Sequence, residues 1–303
     1  MPVNLDHRMG RDLHKKGCVE RTLRFLCAGA VFALGCAPLP STRVQQTLRV
    51  VSYNIRSGNG DLARTAETIR GFRPDIVALQ EVDMHWSSRS AFADQAEDLG
   101  RRLNMRALFA RIYDLPATDS TRPRRQFGVA LLTRFPVAQW KNDTLTRLST
   151  QAQTPIPERM PGLVDADLDV GGQTIRVLNT HLDYRADPRV RRTQVGEMLG
   201  YIGDLALPTI VFGDLNATPD APELQPLFAR LRDAWTLQNG AFSPSADSAA
   251  RASGFTYPAE NPTARIDYVL VSRHFEVRSA TVPNTLASDH RPVVAELILG
   301  PAK

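Results

Sequence analysis

The stretch Thr209-Ile210-Val211-Phe212-Gly213-Asp214-Leu215-Asn216 runs an apolar strand directly into a carboxylate and a carboxamide. Side chains alternate across a strand, so Asp214 and Asn216 project to the same side where the strand ends. Gly213 lets backbone or ligand come close beside them. Taken alone, these residues describe equally well a strand that finishes in an Asx-type turn. The rest of the chain decides between the two readings.

The same design recurs along the sequence. Leu48 to Asn54 alternates as a strand and stops at Asn54-Ile55-Arg56, with Gly58 and Gly60 opening a loop. Asp75 to Val82 is a near-continuous apolar run that presents Glu81 at its end, as suits a buried strand. Leu163 to Val170 and Thr174 to His181, joined at Gly171-Gly172, predict a hairpin that delivers His181. A strand from Arg265 to Val271 carries Asp267 near its start, and Ser288-Asp289-His290-Arg291-Pro292 precedes a last strand, Val294 to Leu299. Helices are expected over Ala63 to Phe72, Phe92 to Leu103 and Pro188 to Leu205, the last with Arg191 and Gln194 on one face. Residues 106–113 are extended and Gly128 to Thr133 is a strand, whereas 141–161 and 240–262 carry no regular pattern. The arginines of Thr121-Arg122-Pro123-Arg124-Arg125 suit phosphate binding or a solvated loop.

Composition narrows the chemistry. With 43% hydrophobic residues in 303, the chain can bury a large core. All three cysteines, Cys18, Cys27 and Cys36, fall in the first 36 residues, so the remainder has neither disulfides nor thiolates. Oxygen donors at Glu81 and Asp289 therefore suit Mg²⁺ or Mn²⁺ better than zinc. Two histidines, His181 and His290, among carboxylates suit a reaction that moves protons and builds negative charge, as phosphoester hydrolysis does. His85 and His274 belong to no such pattern and are assigned to structure.

In order, Asn54, Glu81, His181, Asp214, Asn216, Asp267, Asp289 and His290 resemble the site motifs of the endonuclease/exonuclease/phosphatase superfamily, over residues 48–299. The resemblance implies an α/β four-layer sandwich, as in deoxyribonuclease I, with two mixed β-sheets packed face to face and helices outside. It implies that Asn54 positions metal and phosphate, that Glu81 is the principal metal ligand, and that Asp289 serves a second metal or a water. By the same resemblance, Asp214 and Asn216 orient or deprotonate the attacking water and hold phosphate oxygens, and Asp267 orients His290. His181 matches a general acid or phosphate donor of the deoxyribonuclease and sphingomyelinase branches; the repair exonucleases carry tyrosine there. Glu158 is expected beside His181, and its neighbour Arg159 against the substrate. The 5-phosphatase branch has Trp before the G-D-x-N motif and Arg after it, where this chain has Val211-Phe212 and Ala217-Thr218.

The N-terminus reads as an export signal. Lys15, Lys16, Arg21 and Arg24 precede an apolar run, Phe25 to Leu34, which is too short for a permanent span. Ala33-Leu34-Gly35-Cys36 resembles a bacterial lipobox, with Ala33 and Leu34 departing from its usual residues, so Cys36 is a lipidation candidate. Signal cleavage without a lipid and a plain anchor helix are the alternatives. The expected organisation is a signal over 1–36, a linker over 37–47 and one domain over 48–300, exported to the periplasm or held at a membrane as a monomer. Residues 1–35 hold six Lys/Arg against three Asp/Glu, so +3 of the net +5 belongs to the signal. A nearly neutral domain, with Trp86 and Trp140 as interfacial residues, tilts the expected substrate towards a phospholipid head group or small diester. Nucleic acid is the alternative, and a non-catalytic binding module the rival from another class.

Overall fold

Alternating burial explains the architecture. In the computed structural model, which describes residues 45–240 and 254–300, the chain runs β1 (Gln46–Asn54), α1 (Leu62–Phe72), β2 (Ile76–Met84), α2 (Gln95–Leu103), β3 (Arg106–Leu115) and β4 (Arg125–Thr133). It continues through β5 (Val137–Leu148), β6 (Pro157–Val170), β7 (Gln173–His181), α3 (Arg189–Ile202) and β8 (Thr209–Asp214). The short α4 (Gln225–Phe228), β9 (Arg232–Asp233) and α5 (Ala234–Asn239) precede β10 (Asp267–Val271), β11 (Phe275–Thr281) and β12 (Val293–Leu299). Two six-stranded mixed sheets result, ordered β11-β12-β1-β2-β4-β3 and β5-β6-β7-β8-β10-β9. Each is built around one parallel pair, β1–β2 and β7–β8, joined by a helical crossover.

Every central strand is apolar on both faces because both are covered. Val50, Ile76, Ala78 and Leu131 of the first sheet meet Val177, Ile210, Phe212 and Val269 of the second in one core. On the far side of the first sheet, Val51, Tyr53, Val77 and Leu79 pack under Ala66 and Ile69 of α1 and Leu99 of α2. On the far side of the second, Leu178 and Val211 pack under Val195, Met198 and Ile202 of α3. This is the four-layer α/β sandwich anticipated from the sequence. Among the described residues, no helix is long and apolar enough to cross a membrane.

Local chemistry sets the helix ends. The Asp61 carboxylate accepts from Arg64 N at 2.9 Å to start α1, and Arg73 closes it in the left-handed conformation. Asp94 caps α2 in the same way, so that helix starts after the Phe92 expected from its apolar pattern. The stretch 141–161, expected to be irregular, is mostly the long β5–β6 hairpin. Polar, exposed residues along the edge strand β5 and register shifts near Gln139 and Asp143 erase the alternation by which a strand is recognised.

Candidate active site

The inner face of the sandwich changes character along each central strand. In β1 the inward residues run Leu48, Val50, Ser52, Asn54, and in β2 Ile76, Ala78, Gln80. In the second sheet they run Ile175, Val177, Asn179, His181 along β7 and Ile210, Phe212, Asp214 along β8. Strand β10 runs antiparallel to β8 and so carries its polar residue, Asp267, at its start. Register aligns these ends: Asn54 lies opposite Gln80, and Asp214 is flanked by His181 on one side and Asp267 on the other. All the polar ends therefore gather at one edge of the sandwich.

Asp214 is the hub. Its side chain is 1% exposed; Oδ2 accepts from Asn54 Nδ2 at 3.0 Å across the sheets and lies 3.5 Å from His181 Nε2 and 3.7 Å from His290 Nε2. The two histidine contacts are longer than good hydrogen bonds. Asp214 Oδ1 accepts from Asn216 N at 3.0 Å, and the Asn216 amide donates to Leu182 O at 3.0 Å. Asn216 adopts a left-handed backbone (φ 49°), which asparagine tolerates, and so turns the chain back onto the carboxylate it follows. Gly213 is required for close approach to the neighbouring strand, since a Cβ there would lie 2.8 Å from Thr180 O.

His290 Nδ1 bonds Asp267 Oδ2 at 2.9 Å, and both residues are buried. Burial works against a charged ring, but Asp267, aided by Asp214 and Asp289, outweighs it and carries the His290 pKa up to about 10. The bond to Asp267 holds the ring in one orientation, and the surrounding carboxylates favour its charged form. The Tyr257 ring packs against it with centroids 4.7 Å apart.

Glu81 reaches the site by a distortion. A bulge between Leu79 and Val82 breaks the β2–β4 register, and Glu81 takes a left-handed backbone (φ 56°) that costs a non-glycine residue on the order of 1–3 kcal/mol. The bulge leaves its carboxylate part-exposed beside Asn54, whose Nδ2 donates to Glu81 Oε1 at 3.0 Å. The carbonyls freed by the bulge are taken up from the other sheet, where Asn179 Nδ2 donates to Leu79 O at 3.0 Å and Ala130 O at 2.9 Å. Gln80 Nε2 in turn donates to Asn179 Oδ1 at 2.7 Å. Asp289 sits at the rim, 3.4 Å from Arg56 Nε.

Asp214, Asp267 and His290 lie close enough together to hold a metal ion. Within this group Asp267 Oδ2 is already engaged by His290 Nδ1 at 2.9 Å. The carboxylate of Glu81, with Asn54 bonded to it, offers the hard oxygen that suits a divalent cation.

Some expected residues lie elsewhere. Arg159 is held by Glu197, Thr144 Oγ1 at 2.7 Å and Tyr201 Oη at 3.0 Å, against α3, and is not among the residues brought together. Glu158 is exposed and has no bond to His181 among the described residues. The arginine-rich loop is satisfied locally, by Arg122–Asp119 and Arg124–Asp114 ion pairs. His85 and His274 bond Phe92 O and Ser272 Oγ, consistent with structural roles. Cys36 lies outside the described residues.

The sequence reading missed Arg147. Buried, it donates to His181 O at 2.7 Å, Gly162 O at 3.0 Å, Pro161 O at 3.2 Å and Thr180 Oγ1 at 3.1 Å. Among the described residues no carboxylate lies within ion-pair distance of it, and burial lowers its pKa to about 10. It fixes the end of β7, and its position in an unpatterned edge strand gave no signal.

A family model described as the endonuclease/exonuclease/phosphatase family matches residues 51–290. Solved structures similar to this chain include an endonuclease/exonuclease/phosphatase from Beutenbergia cavernae, with 23% identity and a TM-score of 0.61, covering 85% of this chain and 72% of that one. The human Nocturnin catalytic domain with bound sulfate is 20% identical with a TM-score of 0.59, covering 86% and 99%. A mannosyl-6-phosphatase from Bacteroides thetaiotaomicron is 19% identical with a TM-score of 0.55, covering 83% and 100%. At these identities the likeness establishes the fold. No curated protein matches the chain.

Proposed function

Because the chain belongs to the endonuclease/exonuclease/phosphatase family, whose members hydrolyse phosphoesters, we propose that it is a divalent-metal-dependent phosphodiesterase. The observation that carries this reading is the convergence on the Asp214 carboxylate of Asn54 from the first sheet, His181 from the second and His290 from the loop that enters β12, at 3.0–3.7 Å. In this reading Glu81, with Asn54 and Asp289, would hold Mg²⁺ or Mn²⁺, which when bound neutralises charge on the phosphate.

The chain's own groups then divide the work. Asp214, fixed by Asn216 N and Asn54, orients a water and takes its proton as the water oxygen bonds phosphorus. His290, kept cationic by Asp267, stabilises the charge that grows on the phosphate oxygens. His181, 3.5 Å from Asp214, protonates the departing oxygen as the phosphorus–oxygen bond breaks. Asn216 holds a phosphate oxygen.

Hydrolysis of bis-p-nitrophenyl phosphate with Mg²⁺ or Mn²⁺, abolished by EDTA and restored by added metal, is the expected result. A protein inert on every diester tested with either metal would leave the fold as a binding module. Export through the 1–36 segment, with lipidation at Cys36, is part of the same proposal and rests on the sequence pattern. Labelled-palmitate incorporation that disappears in Cys36→Ser is expected.

A further inference from the structure

We propose that Asp83 and Gln95 are positioning residues for the cation site, acting through the backbone of the loop that follows Asn54. The inference rests on the hydrolase reading, which gives Glu81 and Asn54 to the cation. Four consecutive residues of that loop, Arg56, Ser57, Gly58 and Asn59, take positive φ angles of 45°, 53°, 74° and 44°. Glycine adopts such a backbone freely and asparagine tolerates it, so Arg56 and Ser57 are the two that need something to hold them there.

The bonds of Asn54 show what this conformation accomplishes. It brings Arg56 N to 3.0 Å from Asn54 Oδ1, as a donor. With its oxygen engaged there, the carboxamide presents Nδ2 to the carboxylates, and Nδ2 donates to Glu81 Oε1 and to Asp214 Oδ2, each at 3.0 Å. A loop relaxed to right-handed angles would withdraw the Arg56 N–H. The amide would then lose the bond that fixes which of its two ends faces Glu81.

The restraint comes from β2 and α2. Asp83, two residues beyond Glu81 on the same strand and fully buried, accepts from Ser57 Oγ at 3.2 Å. Gln95, the first residue of α2, donates from Nε2 to Ser57 O at 2.6 Å and accepts from Asp83 N at 2.9 Å. One side chain therefore ties the loop to the strand just beyond the Glu81 bulge. An unpaired carboxylate at this depth would be costly, and Arg89 meets it with two bonds, Nη2 to Oδ1 at 2.7 Å and Nε to Oδ2 at 2.9 Å. The guanidinium is placed in turn by aromatic faces, 5.6 Å from the ring centre of Trp86 and 5.7 Å from that of Phe127.

Calorimetric titration of the full chain with Mn²⁺ tests the proposal, with circular dichroism as the check on folding. Asp83→Ala is expected to weaken Mn²⁺ binding by about 10–100-fold, the usual loss when a group that supports a metal ligand is removed. Ser57→Ala and Ser57→Gly decide the matter should Asp83→Ala fail to fold. Both lose the hydroxyl bond, but only the second can keep a left-handed backbone unaided. Ser57→Ala should therefore weaken binding by about tenfold, and Ser57→Gly should stay close to wild type. Unchanged affinity in folded Asp83→Ala and Ser57→Ala, or equal losses in Ser57→Ala and Ser57→Gly, would overturn the assignment. Turnover of bis-p-nitrophenyl phosphate is measured beside it. The expected affinities in an inert protein retain the positioning role and remove the hydrolase reading, and turnover with unchanged affinities does the reverse.

Discussion

The two sheets share a plan and differ in what they deliver. Each has a parallel pair with a helical crossover, and each turns polar on its inner face at the same edge. The first sheet brings Asn54 and Glu81 on its central strands, and Asp289 and His290 on the loop that enters its strand β12. The second brings His181, Asp214 and Asp267, and Asp267 orients His290. The difference suggests a division of labour in which the ends of β1 and β2 hold the cation, while the ends of β7, β8 and β10, with His290 docked on them, manage protons and transition-state charge. Neither sheet is sufficient, because the hub bond, Asn54 to Asp214, crosses between them.

Breaking the group docked on the second sheet should give the largest effect. His290→Ala is expected to lower kcat by on the order of 10²–10⁴, the usual loss for one such group, while the metal concentration for half-maximal rate stays put. Asp267→Asn should follow in the same direction by a smaller factor, because the imidazole keeps its place but loses the carboxylate that holds it cationic. Near-full activity in His290→Ala would end the division of labour.

The first sheet should respond differently. Glu81→Gln is expected to raise the Mg²⁺ needed for half-maximal rate by tenfold or more, on the order of the affinity lost with a ligand or its immediate support. With saturating metal, much of kcat should return. A Mg²⁺ titration of Glu81→Gln beside His290→Ala separates the two roles, and identical metal curves would merge them.

How much of this was legible in the sequence follows from the same contrast. Strands covered on both faces announce themselves as apolar runs, and Asp214, Glu81 and His181 stand out as the polar residues that end such runs. Asp267 opens β10 and His290 lies in the loop that enters β12 of the other sheet, so their meeting depends on how the two sheets pack, which strand patterns alone do not specify. The edge hairpin β5–β6 was hidden for the opposite reason, since an exposed edge strand has little alternation to read. Arg147 and Asn179 went unnoticed because their work is done on backbone carbonyls, and carbonyl placement has no sequence signature. Arg159 lies in that same hairpin with its side chain on Glu197 of α3, a direction for which an unpatterned edge gives no sign.

The junction between the sheets gives a third, intermediate prediction. Asn179→Ala removes the amide that serves two carbonyls at the Glu81 bulge and the Gln80 side chain. Leaving buried polar groups unpaired should cost about 1–3 kcal/mol of stability for each group not rescued by water. Urea unfolding reads the loss, and Asn179→Asp, which keeps the shape and forfeits the donor, should be no better.

The smallest effect belongs to the outer surfaces, where each sheet carries a cross-strand ion pair: Arg49–Glu296 at 3.0 Å in the first and Arg176–Asp165 in the second. Arg49, bonded to the Glu296 carboxylate, holds its pKa below the usual glutamate range against a slight burial penalty, and Arg278 adds to this. With the folded pKa lowered, the pair stabilises the protein above the unfolded glutamate pKa, and that contribution fades as pH falls through the folded value. Both partners stay partly in water, so Glu296→Gln should cost no more than about 1 kcal/mol at neutral pH. The difference in unfolding midpoint between wild type and Glu296→Gln should shrink towards zero on acidification and in high salt. A larger difference, or one independent of pH, would mean that the outer face of the first sheet is held by packing around Glu296 and not by its charge.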